Sequence, residues 1–287
     1  MVIVILEGGI GNQLFQYTAA KKISLQTGSR LILNNYRLSV SRSHRKFFLN
    51  QLNINDRIIP WPLNRILQNK PLLNLKPDNR IIKLISDSDP KPPNCKIILM
   101  SGYFMNKSNI IGMERMLNKN MVLVNPSSQF KTASMRLGHE NSISIHIRRG
   151  DYVSNTAFGT IGPEYYRRAM DFMVEKVENP LFCVFSDEPE WVKSLKQFWS
   201  GRRVFFVHEK ISDLEELFLM SSCHHQIIAN STYSCWAAYL NSMPGKIVIR
   251  PETYFSDSKL SNPDIFPDDW ISIPNDFASW ENTFISA

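Results

Sequence analysis

The sequence predicts an α/β protein built as two lobes, and three observations predict it. A short apolar run at the N-terminus passes through a glycine-rich loop into a helical pattern and then a second apolar run, the opening of a nucleotide-binding-like unit. A mid-chain strand pattern breaks into Arg148-Arg149-Gly150-Asp151, which places charged residues at the carboxyl end of a strand. Beyond it strands and helices alternate to Ile249, which calls for a second parallel sheet with helices on both faces. A chain of 287 residues suits two ordinary cores better than one large one.

Taken in order, Val2 to Leu6 is all apolar and reads as a buried parallel strand, closed by Gly8 and Gly9. The loop EGGIGNQ is neither the GxGxxG fingerprint nor a P-loop, since no GKS or GKT follows. Gly8, Gly9 and Gly11 allow close backbone approach to a ligand and expose amides at a helix N-terminus, where anions or sugar hydroxyls bind. Asn12 and Gln13 offer paired donors and acceptors for hydroxyls; the alternative is a tight turn with Asn12 as its cap. Phe15, Ala19 and Ile23 share one helical face, with Lys21 and Lys22 outward and a stop near Gly28. Arg30 to Asn34 is the next strand.

From Tyr36 to about Cys95 the pattern is poor. Arg42, His44, Arg45 and Lys46 form a basic cluster beside Phe47 and Phe48, which reads as a solvated rim or an anion contact. Lys76 to Lys96, rich in proline, aspartate and lysine, reads as a mobile loop. Asp87-Ser88-Asp89 within it has the DxD form that can hold a divalent metal, but it lacks a preceding buried strand. Lys96 to Met100 is a strand leading to Gly102, Tyr103 and Phe104, and a helical segment runs from about Ser108 to Leu117.

In SISIHIRRGDYV, Ile143, Ile145 and Ile147 alternate with Ser144 and His146, the pattern of a strand with one face on a core. Arg148 and Arg149 then suggest a charged fork for a phosphate or diphosphate, with Asp151 locking one guanidinium and Gly150 allowing a sharp turn. An ordinary surface ion-pair cluster is the competing explanation. Pro163 opens a long helix, and Leu181 to Phe185 is a strand ending in Ser186, Asp187 and Glu188. Asp187 can accept two donors from a base edge or a ribose diol, or act simply as a first-turn acid ahead of Pro189. A helix over EWVKSLKQF follows, then a strand from Val204 to Val207. The next helix has Ser212 as N-cap and Glu215 completing a capping box. Gln226 to Ala229 is a strand, and NSTYS opens a helix over CWAAYL. Ser231, Thr232 and Ser234 there form a diphosphate cradle or plain caps. Lys246 to Ile249 is the last strand in this series.

Composition narrows the function classes. Hydrophobic residues at 43% and charged residues at 21% are ordinary for a globular protein. The net charge of +7 allows an anionic partner, but the arginines gather at one loop rather than along a basic stripe with aromatics, which argues against nucleic acid. Four cysteines without a CxxC pair give no disulfide framework and no zinc site, which fits a reducing cytoplasm. His224 and His225 point different ways with no spaced fellow ligands, so they read as structural. No apolar run reaches membrane-spanning length, which leaves peripheral association. A GxSxG elbow, an HExxH site and the kinase motifs are all missing.

Together, GGIGNQLFQYTAA, HIRRGDYV, VFSDEPEW, ANSTYSCWAAYL and the late LSNPDIFPDDWISI resemble the bacterial α-1,2-fucosyltransferases nearly end to end. HxRRxD is shared more widely, with α-1,6- and protein O-fucosyltransferases. The resemblance implies a GT-B-like pair of Rossmann-like lobes facing a cleft. Residues 1–136 would form the acceptor-side lobe and 137–287 the GDP-fucose lobe, the C-terminal tail packing back on the first. It implies inverting transfer of fucose from GDP-fucose, without metal or other cofactor, to the 2-hydroxyl of a β-galactoside. That acceptor is expected to be lipid-linked and met in the cytoplasm or peripherally at the inner membrane. In this scheme Arg148 holds the β-phosphate and stabilises the departing GDP, His146 and Arg149 support it, and Asp151 orients the arginines. Asp187 reads the guanine, and Ser231 and Thr232 bind phosphate. Gly11 and Asn12 approach the donor or acceptor from the other lobe. The carboxylates available as base are Glu7 and Asp151.

Overall fold

The computed structural model describes residues 1–40, 45–60, 82–87, 95–138, 140–207, 210–278 and 280, with the side chains of 82 and 83 excepted. The chain divides into two compact units, Met1–Val124 and Asn125–Ala287. The expected boundary at residue 136 would cut a helix, Ser128–Gly138, that the sequence reading did not anticipate. That helix belongs with the second unit: the Ser127 amide at its start donates to Glu215 at 2.7 Å, and Ser134 meets Ser222 at 3.0 Å.

The first unit is a wholly parallel five-stranded sheet in the order β3-β2-β1-β5-β4. Its strands are β1 (Val2–Ile5), β2 (Leu31–Asn34), β3 (Arg57–Ile59), β4 (Ile82–Ile85) and β5 (Ile97–Met100). Helix α1 (Ile10–Gln26) follows β1, α2 (Tyr36–Val40) follows β2, and α3 (Glu114–Asn120) lies beyond β5. β1 is central, and its Val2, Val4 and Ile5 are fully buried, as the unbroken apolar run required. β4 corrects the reading of Lys76 to Lys96 as a loop. It is an edge strand held by backbone pairing to β5, with Leu84 exposed and Ile85 buried, and at four residues it is too short to stand out from the polar run that follows. The segment from Ser108 splits at Gly112, whose φ is +80°, into a single turn and α3.

The second unit is a parallel six-stranded sheet in the order β11-β10-β9-β6-β7-β8. Its strands are β6 (Ser142–Ile147), β7 (Leu181–Ser186), β8 (Val204–Phe206), β9 (His225–Ile227), β10 (Val248–Pro251) and β11 (Ile271–Ile273). Its helices are α4 (Ser128–Gly138), α5 (Pro163–Lys176), α6 (Pro189–Ser194), α7 (Asp213–Ser221) and α8 (Thr232–Leu240). Ile143, Ile145 and Ile147 pack with Tyr165, Tyr166, Ala169 and Met170 of α5. The other face of β6 is buried too, with Ser144 at 3% and His146 at 4% exposure. The alternation of polar and apolar residues therefore marks two covered faces, because crossover helices lie on both sides of a parallel sheet.

The described C-terminal stretch packs into its own unit. β11 pairs with β10, and the Asp276 carbonyl accepts from Gly162 at 3.0 Å. The buried Trp280 donates from Nε1 to the Ile161 carbonyl at 2.8 Å.

Both sheets have a switch point at their middle. In the first, the chain moves outward from β1 through β2 and β3, then places β5 on the other side of β1. In the second, it moves from β6 through β7 and β8, then places β9 on the other side of β6. Loops after these strands diverge and leave a crevice at the carboxyl ends, where ligands of open α/β sheets bind.

Candidate active site

At the crevice of the second unit, Arg148 leaves β6 and is held from two sides. Its Nη1 pairs with Asp187 Oδ2 of the β7 loop at 2.9 Å, and its Nη2 bonds Asp151. The Tyr152 ring lies 5.3 Å from the guanidinium carbon. Burial alone would ease the proton off Arg148; Asp187 and Asp151 reverse that and fix the charge. Asp187 also accepts from the Arg149 amide through Oδ1 at 3.0 Å, so both its oxygens are engaged inside the protein. A Cβ on Gly150 would collide with that carboxylate, so this glycine provides space for the pairing.

Arg149 does not join Arg148 in one fork. Its Nε pairs with Glu188 at 2.9 Å and its guanidinium stacks 3.6 Å from the Trp191 ring centre. Adjacent residues leaving a strand point to opposite sides, and here the second side carries α6. Of the two, only Arg148 is gripped by Asp151 and Asp187, while Arg149 ties β6 to the start of α6.

His146 lies under this cluster, 5.5 Å from the Tyr233 ring, with a buried Nδ1 that has no hydrogen-bond partner among the described residues. Burial, then the nearby Arg148, pushes its pKa down to about 3, so it is neutral at working pH. Its carbonyl accepts from the Tyr166 hydroxyl at 3.1 Å, which pins the end of β6.

After β9, the fully buried Asn230 donates at 3.0 Å to the carbonyls of Phe158 and Tyr254 and draws those loops behind the crevice. Ser231 caps α8 by accepting from the Tyr233 amide at 3.3 Å, and Thr232 is half-buried at the first helical position. Ser234 is turned inward, accepting from the Ala229 amide at 3.2 Å, so the hydroxyl pair at the crevice is Ser231 and Thr232.

In the first unit the glycine loop sits at the β1/β5 switch. Gly8 has φ +79°, and a Cβ there would meet Asn12 Nδ2 at 2.5 Å. Gly9 is the N-cap of α1 and lies beside the Arg45 guanidinium, while Gly11 is buried in the first turn. Gln13, read as a hydroxyl-binding group, is fully buried and structural. It donates to the Gly8 and Lys46 carbonyls at 3.0 and 2.8 Å and accepts from the Phe48 amide at 3.1 Å. Glu7 pairs with Arg37 at 2.7 Å. Asp87 accepts from the amides of Tyr103 and Phe104, so it braces the turn after β5. Ser88 and Asp89, like Arg42 and His44, lie outside the described residues. Among the described residues no cluster of three or more His, Cys, Asp or Glu is arranged to hold a metal ion, and no helix is long and apolar enough to cross a membrane.

Residues 91–274 match the model of glycosyl transferase family 11. The chain belongs to that family. It is 30% identical over 296 residues to an α-1,2-colitosyltransferase of Escherichia coli, covering 95% of this chain and 99% of the relative. It is 29% identical over 304 residues to the E. coli O-antigen biosynthesis glycosyltransferase WbnK, covering 93% and 99%. A galactoside α-(1,2)-fucosyltransferase 1 of Leontocebus fuscicollis aligns over 159 residues at 30% identity, half of this chain and 43% of that one. The crystal structure of fucosyltransferase NodZ from Bradyrhizobium superposes with TM-score 0.52 at 14% identity, over 86% of this chain and 95% of NodZ. That likeness concerns the fold: two parallel α/β units of the GT-B kind.

A further carboxylate lies beside the Arg148 cluster without any motif to mark it. Glu216 lies on α7, with Oε1 3.4 Å from the Tyr233 hydroxyl, which itself donates to the Asp213 carbonyl at 2.5 Å. Burial first, then Asp213 and Asp187, pushes the Glu216 carboxyl up to about 7. In sequence it sits inside an acidic first turn, DLEE, where capping and the helix dipole explain every acid. Only the position of α7 beside α8 turns it toward the crevice.

Proposed function

We propose that this family 11 glycosyltransferase moves L-fucose from GDP-fucose to the 2-hydroxyl of a terminal β-galactoside in a surface glycan of the O-antigen type, with inversion and without metal. The observation that carries the reading is Arg148, a guanidinium at a sheet switch point gripped by two carboxylates. Glycosyl transfer passes through an oxocarbenium-like state in which negative charge builds on the departing diphosphate. A preorganised guanidinium stabilises that charge more in the transition state than in the ground state, by about 3 kcal/mol. Asp151 and Asp187 supply the orientation, so nothing has to reorganise as the bond breaks. Ser231 and Thr232, at the N-terminus of α8, add hydroxyl and amide donors for the same diphosphate.

With Asp187 engaged by Arg148 and the Arg149 amide, Glu216 is the carboxylate better placed to accept from the nucleoside. Gly11 and Asn12 serve the substrate side of the glycine loop. Glu7 and Asp151 are both ion-paired, so the attacking hydroxyl is assigned no base. The acceptor is proposed as a lipid-linked glycan met at the cytoplasmic face of the inner membrane, with no role for nucleic acid.

GDP-fucose is favoured by the galactoside fucosyltransferase relative and by NodZ, an α-1,6-fucosyltransferase that has been soaked with GDP-fucose. The colitosyltransferase relative favours a second reading with GDP-colitose as donor. Incubation of the protein with each donor and lactose, reading GDP release and product linkage by NMR, decides between them. GDP release with GDP-fucose and an α-1,2 product is expected, unchanged by EDTA. Turnover restricted to GDP-colitose would select the second reading, and loss of turnover in EDTA would overturn the metal-free scheme.

A further inference from the structure

The first unit carries a cavity away from its own glycine loop, lined by none of the residues assigned to the transfer reaction. Its volume is about 460 Å³, and Lys21, Arg115 and Lys119 line it with Leu25, Met113 and Met116. Lys21 lies eleven residues into α1 beyond Ile10. At about 1.5 Å per residue that is on the order of 16 Å along the helix, away from the glycine loop.

The floor is organised. Lys21 Nζ reaches both oxygens of Asp56 at 2.8 and 2.9 Å, the Tyr17 hydroxyl donates to Asp56 at 3.0 Å, and Asn120 Nδ2 donates to the Tyr17 oxygen at 2.7 Å. An ammonium has three donors, so Lys21 keeps one for a ligand. Arg115 and Lys119 are four apart on the seven-residue α3, hence on one face, where like charges repel. Neither has an ion-pair partner among the described residues. At the rim, Leu25 and Ile111 are 59% and 58% exposed. The Ile111 carbonyl is fixed by Lys22 at 2.9 Å, one turn before Leu25 on α1. Arg115 and Lys119, with no ion pair of their own among the described residues, beside a pocket with an apolar side and bare aliphatic flanks match an anionic headgroup whose chains lie in a bilayer surface.

We propose that this cavity binds the phosphate of an anionic phospholipid, docking the first unit on a membrane surface. Arg115, Lys119 and the third donor of Lys21 hold the phosphate, and Leu25 and Ile111 enter the interface. The proposal is independent of which sugar is transferred.

The full chain is sedimented with phosphatidylcholine vesicles, with and without phosphatidylglycerol, while GDP release on a soluble acceptor is followed separately. Binding only to vesicles containing phosphatidylglycerol is expected. Arg115→Glu with Lys119→Glu should weaken it about tenfold or more, each basic contact being worth about 1 kcal/mol. Leu25→Ser with Ile111→Ser should weaken it too, and both pairs should leave turnover on the soluble acceptor unchanged. The control pair Lys193→Glu with Arg203→Glu, on the second unit, should bind as the parent does. Absence of vesicle binding, or equal loss in the control pair, would overturn the proposal. Stabilisation by inorganic phosphate that depends on Arg115 and Lys119, without vesicle binding, would replace the lipid by a soluble anion.

Discussion

Arg148 is held by its neighbours in a way its residue type does not guarantee. A surface Arg–Asp pair contributes about 0–1 kcal/mol, and most such pairs do nothing else. Here two carboxylates from different strand ends hold one guanidinium, which fixes its plane as well as its position. Arg148→Lys keeps the charge but loses the fork, so kcat should fall at least about a hundredfold while the melting temperature is retained. Near-parental turnover in that variant would remove the phosphate-clamp role. Asp187→Asn frees one side of Arg148 and should lower kcat more than it changes KM for the donor, in steady-state kinetics. Glu216→Gln should do the opposite, weakening GDP binding in titration calorimetry. That Arg148, Asp151 and Asp187 sit just beyond strand ends was legible in the sequence, because each follows a local strand pattern. Glu216 was not, because its distinction is a neighbour on another helix and not a local pattern.

Among the elements, α7 was read with its cap in advance. Ser212 Oγ accepts from the Glu215 amide at 3.3 Å and the Glu215 carboxylate accepts from the Ser212 amide at 2.9 Å, a capping box whose four residues are contiguous in sequence. Glu215 also accepts from the Ser127 amide, so the box joins α4 to α7. Ser212→Ala should cost about 1 kcal/mol and Glu215→Ala more, since the latter leaves two further amides unpaired, as thermal unfolding would show. The elements without a sequence signal are α2, β3, β4, α4 and β11. The strands lie at sheet edges and span only three or four residues, too short for a periodic pattern to register, and the helices bury few of their residues. The helix over EWVKSLKQF proves shorter, ending at Ser194, because Phe198 and Trp199 turn into the core instead of continuing the helical face.

For the whole molecule, the two switch points decide where chemistry can occur, and the second unit is closed by its own C-terminal stretch. Trp280 packs on Tyr166, Trp191 and Phe198, so Trp280→Ala should cost about 3–5 kcal/mol and lower the melting temperature sharply. Stability should also depend on pH through Glu216. Its carboxyl is raised from 4.5 to about 7 in the fold, so the folded state holds the proton more tightly than the unfolded chain. Stability from this group is complete at acid pH, declines as pH rises from about 4.5 to 7, and levels off above. Glu216→Gln should flatten that decline when melting temperature is measured across the range. By itself, the sequence determined the α/β class, the order of most strands and helices and the loops that carry the charged groups, because those follow from local periodicity, glycines and caps within a few residues. Tertiary structure alone decided that β6 is covered on both faces, that Arg149 parts from Arg148, that Gln13 is structural and that Glu216 faces the crevice. Each of those depends on which distant segment lies alongside, and the packing of segments remote in sequence leaves no mark in a local pattern.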